Sequence, residues 1–67
     1  MDETTRRTFT VLEESPKPLS TNEVADRLDV DWHTAKKRLE LLREEGKVYR
    51  KAWQRNLTLW WDREIPV

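Results

Sequence analysis

The chain has 67 residues, 13 cations against 13 acids, a formal net charge of zero and no cysteine. That length fits one domain, residues 1–67, and leaves it a small core; the lack of cysteine excludes disulfides and cysteine-based zinc or redox chemistry and is compatible with a reducing cytoplasm, the expected location. No apolar run approaches the ~18 residues of a membrane helix, and Met1-Asp2-Glu3-Thr4-Thr5-Arg6-Arg7 lacks the apolar stretch of a secretory signal.

Residues 3–14 read as a first helix, with Phe9 and Leu12 on one face and Val11 beside them. Pro16 and Pro18 stop it, because proline disfavours helix at the residue before it. Lys17-Pro18-Leu19 is then short and extended, with Leu19 turned inward. Ser20-Thr21-Asn22-Glu23 is a capping box, serine at the N-cap and glutamate three residues on. The helix that follows, 21–28, points Val24, Ala25 and Leu28 inward. Asp29 falls where a tight turn between helices needs a positive φ, which aspartate tolerates better than most residues. Val30 anchors the turn.

Asp31 is a sound N-cap for a third helix, 32–45. Ala35, Leu39 and Leu42 form its apolar stripe at i, i+4 and i+7. The opposite side carries His33, Lys37, Glu40 and Glu44; Trp32, Lys36 and Arg43 form one flank and Thr34, Arg38 and Leu41 the other. Gly46, the single glycine, sits where a helix terminator adopts the left-handed conformation. Beyond it the period changes to two. Val48, Arg50 and Ala52 alternate with Tyr49, Lys51 and Trp53, and Leu57, Leu59 and Trp61 alternate with Thr58 and Trp60. These runs read as a hairpin about Gln54-Arg55-Asn56, with Asn56 or a neighbour taking the positive φ. Residues 62–67 are a tail expected to fray at its end.

Charge is segregated along this order. Residues 1–31 hold four cations and eight acids, a net of −4, whereas residues 32–58 hold eight cations and three acids, a net of +5; the remainder contributes −1. Asymmetry of this kind points to a polyanion-facing side.

Particular residues carry a resemblance to a known family. Pro18-Leu19-Ser20-Thr21-Asn22-Glu23-Val24-Ala25-Asp26-Arg27-Leu28 resembles the start of the first motif helix in winged helix-turn-helix domains of prokaryotic (bacterial and archaeal) transcription regulators. Val30, a capping residue, Thr34-Ala35, Arg38-Leu39, Leu42 and Gly46 resemble their recognition helix, and the similarity runs over about residues 5–61. Asp29 replaces the usual turn glycine, Asp31 the usual serine cap, and the wing turn lacks its glycine. Asp31 would also repel a nearby phosphate.

The resemblance implies an α+β fold, a winged helix-turn-helix with three helices followed by a two-stranded β-hairpin wing. It implies a DNA-binding transcriptional regulator whose helix 32–45 reads the major groove of double-stranded DNA while the wing, 47–61, touches the backbone or minor groove. The residues carried over are Trp32, His33, Thr34, Lys36, Lys37 and Glu40 on the helix, and Arg50, Lys51 and Arg55 on the wing. Lysine can donate to guanine, threonine or an aromatic ring can meet a thymine methyl, and glutamate can accept from cytosine.

Other readings stand beside these. Trp32 either contacts DNA or folds over the Lys36 and Arg43 stems, and His33 is a DNA contact or an ordinary surface residue. A lone histidine offers no metal site. With no phosphate-cradling loop and no nucleophile–base pair, neither an enzyme nor a cofactor is expected. Trp61 is expected in the core. Trp60, facing the other way, should then cover the first helix, join a dimer contact or stay exposed. With Leu41 off the stripe, this suggests a homodimer. The alternative function is a protein-interaction module, an adaptor that does not bind DNA.

Overall fold

The computed structural model describes residues 2–55 and 57–62, and of Trp53 the backbone alone. The expected turn at Asn56, the end of the tail and the side chain of Trp53 lie outside the described residues. The element order is α1 (Glu3–Glu14), β1 (Leu19–Ser20), α2 (Thr21–Leu28), α3 (Trp32–Glu44), β2 (Tyr49–Gln54) and β3 (Leu57–Trp61).

Each helix is begun by a side chain at its N-cap. Asp2 accepts the Thr5 N–H at 2.7 Å and Asp31 the Thr34 N–H at 2.7 Å. The capping box at α2 closes in both directions: Glu23 N–H donates to Ser20 Oγ at 3.2 Å, and Ser20 N–H to Glu23 Oε1 at 3.0 Å. Each pairing satisfies a backbone donor that the helix itself leaves open.

Two helices end alike. Asp29 takes φ 58° and Gly46 φ 76°. After α2, Val30 N–H reaches the Ala25 carbonyl at 3.1 Å and Asp29 N–H that of Asp26 at 3.3 Å. After α3, Lys47 N–H reaches Leu42 at 2.9 Å and Gly46 N–H reaches Arg43 at 2.9 Å. Both are Schellman terminators. Val30 is half-buried against the core, so the α2–α3 turn is pinned by an apolar contact as well as by hydrogen bonds.

The sheet differs from expectation. It has three antiparallel strands in the order β1-β3-β2, not the two of a simple hairpin. Leu19 pairs with Trp60 and Ser20 with Leu59, so the segment after Pro18 covers the edge of β3. A strand of two residues is too short to show alternation, so pattern reading takes it for a connector. On the other side Tyr49 pairs with Trp61, Arg50 with Trp60, Lys51 with Leu59 and Ala52 with Thr58. The register then shifts by one before Gln54 meets Leu57, a bulge at Trp53 on β2.

The core contains Leu12, Leu19, Val24, Ala25, Leu28, Ala35, Leu39, Leu42, Val48 and Trp60, with Phe9 and Val11 at its edge. Thr5 and Thr8 complete the buried face of α1. The Thr8 hydroxyl donates to the Thr4 carbonyl at 2.8 Å, which satisfies it away from water.

The expectation for the two adjacent tryptophans is reversed. Trp60 is 1% exposed and is the largest fully buried side chain among the described residues, while Trp61 is half-buried on the other face of the sheet. The phase is set by β1: Trp60 lies opposite the buried Leu19. The Trp60 indole N–H donates to Thr21 Oγ1 at 2.9 Å, joining the wing to the first turn of α2. Trp61 stacks on Tyr49, with ring centroids 6.0 Å apart and planes at 20°.

Candidate nucleic-acid interface

The stripe of Ala35, Leu39 and Leu42 is buried against α1 and α2, which turns the far side of α3 to solvent. His33 and Lys37 on that side are exposed, and Lys36 and Glu40 are half-buried. Trp32, at 40% exposure, stands at the first turn. Lys36 Nζ lies 5.1 Å from its ring centroid, and His33 meets it edge to face at 5.2 Å and 83°. Of the two readings of Trp32, the packing over Lys36 is present. A cation over an indole face gains electrostatically from the ring quadrupole.

Thr34 is half-buried beside the cap. Hydrogen bonding from its hydroxyl and its N–H, in that order, holds the Asp31 carboxyl below the ordinary aspartate range, and the nearby His33 adds a smaller pull. Asp31 and Thr34 thus act on each other at the helix start. Trp32 also borders a crevice of about 80 Å³ lined by Ser20, Thr21, Asn22, Leu57 and Thr58. There the starts of α2, α3 and β3 meet.

The wing residues do not form one patch. Arg50 shares its sheet face with Trp60 and turns toward α3: its Nη1 is 3.9 Å from Glu40 Oε1, and its guanidinium carbon is 6.0 Å from the Trp60 centroid. Lys51 points to the opposite face, paired in register with Leu59, because side chains alternate along a strand. Arg55 is exposed at the hairpin turn. So the structure gathers Trp32, His33 and Lys36 into one cluster and Glu40 with Arg50 into a second, and leaves Lys51 and Arg55 apart.

Other cations of the basic segment are engaged internally. Arg38 Nη1 is 3.0 Å from Asp2 Oδ2, tying α3 to the cap of α1, and Lys47 lies 3.9 Å from Glu45. Among the described residues, Lys37 and Arg43 pair with no carboxylate. Sequence spacing finds neither the Arg38–Asp2 tie nor the Glu40–Arg50 pair. Both join positions brought together only by tertiary packing. The buried Thr21, by contrast, had a signal: it is the first residue of a capped helix directly after an inward leucine.

No protein-family model matches the chain, and no curated protein matches it. Solved structures do. Lactococcus lactis ZitR, a cysteine-to-serine mutant in complex with DNA, superposes with a TM-score of 0.79 at 18% identity, over 96% of this chain and 44% of that one. Human N-acetylserotonin methyltransferase, in complex with SAM, gives a TM-score of 0.75 at 18% identity, over 91% of this chain and 17% of that one. The fold is a winged helix. The chain spans less than half the length of either neighbour, and what it shares with them at this identity is the arrangement of three helices and a three-stranded antiparallel sheet.

Proposed function

We propose that the chain is a DNA-binding transcriptional regulator of prokaryotic, cytoplasmic type that lays α3 in the major groove of double-stranded DNA and its wing along the backbone or minor groove. The observation that carries this is the solvent side of α3, where among the described residues Lys37 and Arg43 pair with no carboxylate and Lys36 is held over Trp32, on a helix whose other side is packed. The fold shared with ZitR, a protein solved in complex with DNA, supports it. Trp32, His33, Thr34, Lys36, Lys37 and Glu40 are the proposed helix contacts, and Arg50, Lys51 and Arg55 the proposed wing contacts. A homodimer would place two recognition helices on paired half-sites.

Fluorescence anisotropy with duplex DNA over a salt series tests this reading. Binding that weakens steeply with salt, and a Lys36→Ala/Lys37→Ala variant whose log–log salt slope is shallower by about 1.8, are the expected results, since each phosphate contact accounts for roughly 0.9. No binding at low salt, or an unchanged slope, would refute the assignment of this face.

A second reading has its own support. Trp32, Leu41 (37% exposed) and Tyr49 (44% exposed) are large apolar groups at the surface of a chain with no net charge. They suit a protein-interaction module, in which case partners would survive nuclease treatment in a pull-down.

A further inference from the structure

The guanidinium of Arg50 on the wing faces a carboxylate of α3. We infer that Glu40 and Arg50 form an exchangeable pair, which withholds Arg50 from phosphate until Glu40 finds a hydrogen-bond donor on a base edge. This rests on the DNA-binding reading and adds a coupling between its two parts, the helix that reads bases and the wing that grips the backbone.

Three observations converge on it. First, the pair spans two elements that both belong to the proposed interface, α3 and β2, and its separation of 3.9 Å leaves the side chains 45% and 38% exposed. A long, solvated pair of this kind is weak and readily exchanged. Second, the wing holds Arg50 near Glu40. It stands directly across from Trp60 in the β2–β3 register, with its guanidinium over the indole, and Trp60 is itself fixed by its hydrogen bond to Thr21. Third, Glu40 has Lys36 and Lys37 one turn away on its own helix, yet among the described residues its ion pair is with Arg50.

The consequence follows from competing acceptors. A phosphate offers a guanidinium two oxygens and outcompetes a distant carboxylate. Taking Arg50 away, however, leaves Glu40 as an uncompensated anion beside a polyanion. Every base pair carries one exocyclic amine in the major groove, cytosine N4 or adenine N6, so that loss is made good only where the sequence puts the amine on the strand and at the step that Glu40 reaches. On a duplex without a suitably placed amine, Arg50 stays with Glu40 and adds nothing to counterion release. Glu40 is on this view a specificity-determining residue that acts partly through the wing.

The test uses a pool of random-sequence duplexes, in which most binding registers put no amine within reach of Glu40, and four proteins: the parent chain, Arg50→Gln, Glu40→Gln and the double variant. Anisotropy titrations over a salt series give each slope. The parent and Arg50→Gln should share one slope. Glu40→Gln should bind more tightly and be steeper by about 0.9, one extra phosphate contact. The double variant should return to the parent slope. Equal steepening by Glu40→Gln with and without Arg50 would overturn the coupling, because the glutamate would then act by direct repulsion alone. A shallower slope for Arg50→Gln in the parent background would overturn it too. Either result leaves DNA binding itself intact, whereas no binding by the parent chain at low salt refutes the DNA-binding reading and the coupling with it. Circular dichroism melts check that each variant is folded, and Glu40→Ser repeats the test with a second side chain.

Discussion

Replacing Thr21 by valine should destabilise the domain through a single orphaned N–H. Valine keeps the shape of threonine but removes the Oγ1 that accepts the Trp60 indole N–H at 2.9 Å. Both residues are buried, Thr21 at 6% exposure and Trp60 at 1%, so the lost partner is replaced only where a water enters from the crevice that Thr21 borders. A buried donor left unpaired costs about 1–3 kcal/mol. Threonine and valine differ by only a few tenths of a kcal/mol (roughly) in helix propensity, so the start of α2 contributes little to the change. In a domain of this size 1 kcal/mol moves Tm by about 4–8 °C, so Thr21→Val should melt roughly 4–24 °C below the parent.

Thermal and urea unfolding followed by circular dichroism measure this, and a double-mutant cycle isolates it. Trp60→Phe removes the donor and carries its own packing cost. In that background Thr21→Val should be close to neutral, giving a coupling of about 1 kcal/mol or more. A single variant within about 0.5 kcal/mol of the parent, or additive effects in the cycle, would refute the assignment of this bond as the tie between wing and α2.

Among the described residues, Asp29 is the non-glycine residue held at positive φ. Aspartate already carries the left-handed Cβ penalty there, so Asp29→Gly should stabilise by up to about 1 kcal/mol in a urea melt, while Asp29→Ala, which loses only aspartate's local hydrogen bonding, should destabilise by less than about 1 kcal/mol. Stability should also fall in acid. Backbone hydrogen bonding from Thr5 and Ser20 lowers the carboxyl pKa values of Asp2 and Glu23, and Thr34 lowers that of Asp31. A depressed folded-state pKa means that the unfolded chain binds more protons in this window. The contribution is therefore complete above roughly pH 5 and is lost as pH falls through the folded-state values. Tm measured from neutral to about pH 3 should drop, and Asp31→Asn, which keeps a capping oxygen, should flatten the curve. Arg38→Ala should loosen the N-terminal turn of α1 by breaking the tie to Asp2, seen as faster amide exchange at Thr5 and Arg6 with little change elsewhere.

What the sequence makes legible here is local. The capping box, the Asp31 cap, the left-handed Asp29 and Gly46 and the Ala35-Leu39-Leu42 stripe are each encoded within one or two helical turns, and each is present. The strand phase is not local. Whether Trp60 or Trp61 enters the core depends on which residue of a third strand lies opposite, and that strand is Leu19–Ser20, about forty residues upstream. The alternation in β3 is equally consistent with either face being buried, so sequence reasoning chose the wrong tryptophan. The same limit applies at the candidate site. Spacing along α3 puts His33, Lys37 and Glu40 on one side, but that Glu40 meets Arg50 rather than standing free is a fact of how the wing folds back.

This changes how the charge of the chain is to be weighed. A net charge of zero argues against nucleic acid only if the charges are spread evenly, and they are not: the +5 segment supplies α3 and most of the wing. Yet a basic segment is also an overcount. Arg38 is tied to Asp2, Lys47 sits near Glu45 and Arg50 near Glu40, which leaves Lys36, Lys37 and Arg43 as the cations that α3 itself presents. A helix that presents these cations gains only a modest counterion-release term by itself, before any contact from Lys51 or Arg55 of the wing is added. On the proposed DNA-binding reading, affinity at physiological salt would then come largely from base contacts, from the Trp32 ring, or from a second copy binding alongside the first. The salt slope of the parent chain separates these: a slope near three per bound domain fits one helix acting through these cations, and a slope twice that, with affinity that depends on protein concentration, fits a dimer.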